Sequence, residues 1–402
     1  MRNAMQDNVV AFTGRHDSGK TTVLERVVAA LCAHGLTVSS LKHHGHPGFE
    51  FDVPGKDSWR HHAAGTLATA VLSPDRFGLV EETACDDCRA AVGMLPASNL
   101  VLVEGYRHAG FPTVEVLRAA SERDRTFAPS LEERLRTPLD QMDALGDSLQ
   151  EPLPVAVVTD LPSLRDAAEA AGVPAFGFEE AETARLAEWL VKRFAKPLIS
   201  VAVQAGGESK RMGTSKALVP FHGVPLAQHV AGRMAPVAAD LLITTNEPER
   251  LAFMRGLFPG VRLVRDVLSE RGSLPGLITA LEEARFPIVG LVACDMVDAP
   301  AGLIRHEAEL LAKDPSLDAV VPVTGFGFEP LCAVYRRDVC LRAARDAYAA
   351  GHRRLRDVLE RLRVHRIDAK VDPHVPRGCF RNVNTPNELE AAEGLRRSHG
   401  HA

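Results

Sequence analysis

Apolar residues in this chain recur as short continuous runs that stop at glycine or an acidic residue, separated by stretches with helical spacing. The first run, Val9-Val10-Ala11-Phe12-Thr13, ends at Gly14. After Thr21 the apolar positions fall at Val23, Leu24, Val27, Val28 and Leu31, and spacings of three and four predict a helix. Further strands are predicted at 38–41, at 100–103 (a run ending in Glu104-Gly105) and at 155–159, with a closing helix at 179–194. The pattern then restarts. Runs at 199–203, 241–246, 261–264 and 289–293 predict strands. Leu277, Ile278 and Leu281 mark a helix that follows a turn, Gly272-Ser273-Leu274-Pro275-Gly276. Apolar strands alternating with helices predict the α/β class, in two doubly wound domains. The break falls at Lys196-Pro197, giving 1–197 and 198–402. The join is too short for a long flexible tether.

The length of 402 residues agrees with two cores rather than one. No apolar run approaches the ~18 residues of a membrane span, and 1–8 is polar, without a signal-type apolar region. A net charge of −5 argues against a nucleic-acid footprint. Seven scattered cysteines, an odd number, argue against a disulfide framework and for a reducing cytoplasm. Cys85 and Cys88 form a single Cys-x-x-Cys, read here as incidental thiols because no second pair or flanking ligand set accompanies it.

Two glycine-rich turns carry the candidate chemistry. Gly14-Arg15-His16-Asp17-Ser18-Gly19-Lys20-Thr21 is Gly-x-x-x-x-Gly-Lys-Thr between a strand and a helix, the context a P-loop requires. Loop N–H groups and the helix N-terminus meet phosphate there. Gly14, Asp17, Ser18, Gly19, Lys20, Thr21 and Thr22 are the nucleotide-contact candidates. Lys20 would reach the outer phosphates and Thr21 would ligate Mg²⁺ with help from Glu104, a carboxylate at a strand's carboxyl end. His43, His44 and His46 are either metal ligands or a polar loop, and the sequence leaves both open.

The second turn runs from Gln204 to Lys216 and contains Ala205, Gly206, Gly207, Ser209, Arg211 and Gly213. It is neither a P-loop nor Gly-x-Gly-x-x-Gly. Adjacent glycines allow close backbone approach to phosphates, and Arg211 and Lys216 supply positive charge. Asp295, in Cys294-Asp295-Met296, ends an apolar run and is placed to hold Mg²⁺. Asp266 ends another run and could share that role. Near the end, Thr385 reads as a helix cap, Pro386 as the first helical residue and Glu388 as the partner in a capping box. Capping does not explain the asparagines at 382, 384 and 387.

Lys42-His43-His44, Asp52-Val53-Pro54-Gly55-Lys56-Asp57-Ser58, Ala64-Gly65 and Val103-Glu104-Gly105-Tyr106 resemble the molybdopterin-guanine dinucleotide biosynthesis adaptor family over about residues 8–195. The resemblance implies a P-loop NTPase fold that binds GTP, turns over weakly alone and assists a guanylyltransferase. It also implies that Asp57 and the histidines line the nucleotide or pterin side of a cleft. Ala205 to Lys216, Cys294-Asp295-Met296, Glu329-Pro330-Leu331 and Asn382 to Pro386 resemble the molybdenum cofactor guanylyltransferase family over about 199–395. That implies a Rossmann-like nucleotidyltransferase fold. Gln204 to Gly206 and Lys216 would contact GTP, Asp266 would lie at the nucleotide and Asp295 would hold Mg²⁺. A further GTP contact falls at Thr244 or Asn246. Gln204 replaces the usual Leu, and Gly-Ser-Leu-Pro-Gly replaces Gly-Pro-Leu-Ala-Gly.

The expected reaction is GMP transfer from GTP to molybdopterin, with Lys216, Arg211 and Asp295 as the catalytic group. Expected partners are GTP, molybdopterin and, downstream, molybdoenzyme apoproteins with their chaperones. A homo-oligomer is left open. Rival readings are a molybdopterin cytidylyltransferase, a sugar-phosphate nucleotidyltransferase, a P-loop kinase of small molecules, and a GTP-binding scaffold without transfer chemistry.

Overall fold

The computed structural model describes residues 8–45, 52–81, 87–137, 152–206 and 215–397. They fall into two compact units, Asn8–Ala195 and the chain from Lys196 onward. No helix among them is long and apolar enough to cross a membrane.

In the first unit, β1 (Val9–Thr13), β2 (Val38–Lys42), β5 (Leu100–Glu104), β6 (Thr113–Leu117), β7 (Ala156–Thr159) and β8 (Ala175–Phe176) form one parallel sheet ordered β2-β5-β1-β6-β7-β8. All five residues of β1 are buried, because helices cover both faces of a parallel sheet and leave no face for alternation. The helix Lys20–Ala33 buries Val23, Leu24, Val27 and Leu31 against one face. The helix Glu180–Phe194 joins it through Leu186, Ala187 and Leu190. A separate antiparallel hairpin, β3 (Ala68–Leu72) with β4 (Phe77–Glu81), leaves Leu72 and Phe77 exposed.

The described residues of the second unit form ten strands: β9 (Ile199–Gln204), β10 (Pro220–Phe221), β11 (Val224–Pro225), β12 (Asp240–Thr245), β13 (Arg262–Arg265), β14 (Ile288–Ala293), β15 (Ala319–Thr324), β16 (Gly327–Phe328), β17 (Cys332–Arg336) and β18 (Val364–Asp368). β10 and β11 pair as a two-residue ribbon. The main sheet runs β13-β12-β9-β14-β17-β15-β16, with β18 on β15. β13, β12, β9 and β14 are mutually parallel, whereas β17 runs antiparallel to β14. The sheet is therefore a doubly wound half extended by an antiparallel half. Gln204 pairs in register with Thr244 on one side and Ala293 on the other. The residues that follow these strands consequently emerge along one edge, where open α/β sheets place ligands.

The opposite end of the same strands is tied down by Asp240. Its side chain is fully buried. It accepts bonds from Ser200 Oγ (2.8 Å), Arg262 Nε (3.0 Å), Arg262 Nη2 (2.9 Å) and the Arg285 N–H (3.1 Å). Burial alone would push this carboxyl up, but the Arg262 bonds and their companions outweigh it and hold the group below its ordinary 3.8. Removing one member of such a pair strands the other. Asp240→Ala should cost about 3–5 kcal/mol, measured by chemical denaturation followed on the second unit. A depressed carboxyl contributes stability above its unfolded pKa and loses it as pH falls through the folded value. The wild-type advantage should thus be full above pH 3.8 and shrink below it.

Candidate functional site

The first glycine turn closes on itself. Gly14 has φ +155°, and a Cβ there would overlap the Val116 carbonyl and Ser18 Oγ. Gly19 adopts a left-handed conformation (φ +83°) and opens the helix Lys20–Ala33. Asp17 is also left-handed (φ 64°) and exposed, with its carboxylate 2.8 Å from His16 Nδ1. Ser18 is buried and Thr22 is exposed on the first helical turn. Lys20 Nζ donates to the carbonyls of Gly14 (2.8 Å) and Arg15 and lies 3.4 Å from Ser18 Oγ. Burial lowers its pKa, opposed by Glu104, Asp124 and Glu115. Thr21 Oγ1 donates to Glu104 Oε1 at 2.8 Å, and Lys42 Nζ lies 3.3 Å from the other oxygen. The structure thus joins Thr21 and Glu104, two oxygen donors of the kind Mg²⁺ takes.

Beside this turn, an open cleft of about 660 Å³ is lined by Thr13, Gly14, His43, Arg89, Tyr106 and Arg107, among others. His43 packs on Tyr106 with ring centroids 4.2 Å apart. Gly105 (φ +97°) leaves room for His43, whose Cβ a side chain at 105 would crowd. Asp57 does not line this cleft. It starts the exposed helix Asp57–Ala63 and sits 3.8 Å from Arg60. Cys88 opens the helix Cys88–Met94 as a buried residue. His46 and Cys85 lie outside the described residues. Sequence reasoning missed a polar floor under the loop: Glu115, buried in β6, accepts from Thr13 Oγ1 (2.5 Å) and from Arg107. Its signal was one carboxylate inside the otherwise apolar and threonine-bearing run 113–117.

In the second unit, Gly207, Ser209 and Arg211 lie outside the described residues. The rest of the predicted group converges. Gln204 ends β9 and donates its amide to the carbonyls of Gly272 (3.1 Å) and Ser273 (3.4 Å). A side chain at 276 would overlap that carboxamide. Ala205 is buried, its N–H bonded to Thr244 O at 2.8 Å. Thr244 is buried within β12, while Asn246 Nδ2 donates to Asp266 Oδ2 (2.9 Å) and Gly206 O (3.3 Å). Asn246, not Thr244, therefore faces the glycine turn. A Cβ on Gly206 would meet the Asp266 carboxylate. Burial raises the Asp266 pKa against the Asn246 hydrogen bond. The stretch 272–276 departs from the expected turn. The helix spans Ser273–Glu283, and only Gly272 stands outside it. Pro275 fits because its missing N–H would have no intrahelical partner so near the start.

Lys216 lies in a short 3-10 turn, Lys216–Leu218. Its Nζ donates to Asp295 Oδ2 and to Asn384 Oδ1 (2.5 Å). The two charged side chains are only 12% and 17% exposed. Asp295 Oδ1 is buried and has no hydrogen-bond partner among the described residues. Burial, with Asp295 beside it, pushes the Cys294 thiol up to about 12, so it stays protonated. Asn384 was not among the predicted site residues, although capping had left it unexplained. Glu388 Oε2 accepts from the N–H groups of Asn384 (2.7 Å) and Thr385 (2.9 Å), and Glu388 N donates to Thr385 Oγ1 (3.3 Å). Pro386 is the first residue of the helix Pro386–Arg397.

Residues 9–135 match the family model described as molybdopterin guanine dinucleotide synthesis protein B, and 201–367 match that of the MobA-like NTP transferase domain. A probable molybdenum cofactor guanylyltransferase of Natronomonas pharaonis is 35% identical over 196 residues, covering 47% of this chain and 94% of that protein. Another, from Pelotomaculum thermopropionicum, is 33% identical over 195 residues, covering 47% and 89%. Among solved structures, Bacillus subtilis MobB is 25% identical and covers 46% of this chain and 97% of its own, with a TM-score of 0.34.

The Gly14 geometry yields a direct test. Forcing a methyl against the Val116 carbonyl costs about 1–3 kcal/mol of strain. If the loop moves to relieve it, Gly14→Ala should weaken binding of a fluorescent GTP analogue by roughly five- to 150-fold. The measurement is made in a Lys216→Ala background that disables the other site, and unchanged affinity would contradict the loop's role.

Proposed function

This chain belongs to the molybdenum cofactor guanylyltransferase family, and we propose that its second half transfers GMP from GTP to the terminal phosphate of molybdopterin. One P–O bond forms at the α-phosphorus, the bond to the β-phosphate breaks, and pyrophosphate leaves. The carrying observation is the convergence of Gly206, Asn246, Asp266 and Asp295 beyond four adjacent parallel strands, with Lys216 bonded to Asp295. The incoming phosphate is already anionic, so neither a general base nor a protein nucleophile is required. A buried Cys294 thiol that stays protonated agrees with this.

The protein's task is then to hold two anions together. Lys216 offsets charge on the phosphates, held in place by Asn384. Gly206 lets the backbone approach closely, and Asn246 fixes the Asp266 carboxylate. Arg211 adds a second positive charge on this reading. The unpartnered Asp295 Oδ1 fits Mg²⁺, which when bound would neutralise charge that develops on the phosphate oxygens.

The first half is proposed as a GTP-binding adaptor that presents cofactor to the transferase or to molybdoenzyme apoproteins and their chaperones. Thr21 and Glu104 are its proposed Mg²⁺ donors. Two modules on one chain reach effective concentrations in the mM range. The proposed setting is a reducing cytoplasm, the compartment that suits an odd number of scattered cysteines.

Removing one pre-placed charge from such a site typically costs about 10²–10³ in rate. Lys216→Ala and Asp295→Ala should each lose that much guanylyl transfer, followed by pyrophosphate release and mass identification of the pterin product, while the first unit still binds GTP. Near-normal transfer in Asp295→Ala removes the metal assignment. Lys20→Ala should spare transfer to free molybdopterin but slow activation of an apo-molybdoenzyme. Equal activation by mutant and wild type would remove the adaptor role.

A further inference from the structure

Three donor side chains from two segments, none of them among the residues assigned to the transfer site, meet beside the last strand. His306 projects from the helix Ala301–Lys313, and Asp372 and His374 come from the turn after β18. That turn is pinned by Asp372 N–H to Asp368 O (3.0 Å) and Val375 N–H to Asp372 O (3.1 Å). One donor atom from each of the three lies within 4.8 Å of the others. His306 Nε2 is 3.8 Å from Asp372 Oδ2, and His374 Nδ1 is 3.1 Å from Asp372 Oδ1. The imidazoles are stacked, centroids 3.7 Å apart and 8° from parallel.

We propose that His306, Asp372 and His374 bind a divalent transition metal of the Zn²⁺ class, at a site separate from the transfer site. Imidazole with one carboxylate suits Zn²⁺, Co²⁺, Ni²⁺ or Cu²⁺, whereas Mg²⁺ and Ca²⁺ take oxygen donors. Tetrahedral ligands about 2.0–2.2 Å from one ion stand roughly 3.3–3.6 Å apart, and each imidazole already lies near one oxygen of Asp372, His374 at 3.1 Å from Oδ1 and His306 at 3.8 Å from Oδ2. Each imidazole binds a metal in its own plane, so loading the site requires the two rings to turn out of their stack. The His306 and Asp372 side chains are about one-fifth exposed and His374 about half. One side of the site therefore opens to solvent, leaving a fourth position for water.

The site has a structural consequence. Asp372 and His374 precede the stretch in which the Val383 N–H bonds to Asp295 O (3.1 Å) and Asn384 holds Lys216. Metal at this point would staple that stretch to the helix Ala301–Lys313. The binding claim does not depend on the transfer reaction.

The test uses the full-length chain, stripped with chelator and titrated with Co²⁺ while visible d–d absorption is followed. One equivalent should bind with tetrahedral-type bands. His306→Ala, Asp372→Ala and His374→Ala should each weaken binding at least about tenfold, since even loss of a residue behind a ligand costs that much. Asp295→Asn should keep the bands, and excess Mg²⁺ should not displace the ion. Zn²⁺ should raise the melting temperature of the wild type but not of His306→Ala/His374→Ala. The milder His306→Asn and His374→Gln pair guards against misfolding and should behave alike. Absence of saturable Co²⁺ binding overturns the proposal. So does binding that all these variants leave unchanged, which would place the ion elsewhere, for example at His43 and His44.

Discussion

The chemistry proposed for the second unit depends on one ion pair, Lys216 with Asp295, held where water barely reaches. Bringing both charges out of water is costly unless each finds further partners. Lys216 finds Asn384, but among the described residues Asp295 keeps one buried oxygen without a donor. An unsatisfied buried acceptor costs about 1–3 kcal/mol. Within the described residues the pair is therefore complete in charge and incomplete in hydrogen bonding, a state that a ligand bringing positive charge to that oxygen would relieve.

The sheet explains why the pair forms where it does. β9 lies between β12 and β14 in parallel register, so Gln204, Thr244 and Ala293 end side by side. Whatever follows them shares one edge. The first unit reaches a phosphate-binding geometry by a different route. Its turn is closed around Lys20 by glycines in conformations or spaces that a side chain would disturb. Beneath it lies the buried Glu115 with Thr13 and Arg107. One unit relies on an edge shared by several strands, and the other on a single loop with a polar floor.

Much of this was legible in the sequence because the relevant signals are local. Apolar runs such as 9–13 and 289–293 became buried strands, and the Thr385 cap with Glu388 formed within five residues. The Thr21–Glu104 contact was legible through the motif that relates the two positions. Contacts set only by tertiary folding were not. Lys216 and Asn384 are 168 positions apart, and no periodicity links them. Arg107 and Glu115 are close in sequence, yet their pairing depends on the turn between β5 and β6. At 273–276, proline and glycine looked like a turn because Pro275 was weighed without the exemption that a helix's first turn gives it, and Gly276 without the Gln204 side chain packed against it. The antiparallel β17 beside β14 was also invisible, since strand direction is a property of topology.

Glu388 joins two scales of this architecture. The same carboxylate oxygen that starts the last helix also grips the backbone of Asn384, whose side chain steadies Lys216. Fraying of a few terminal residues would therefore detune the cation from a distance, with the central sheet intact. Heat or mild denaturant should silence the enzyme as a peripheral event, well before the protein comes apart.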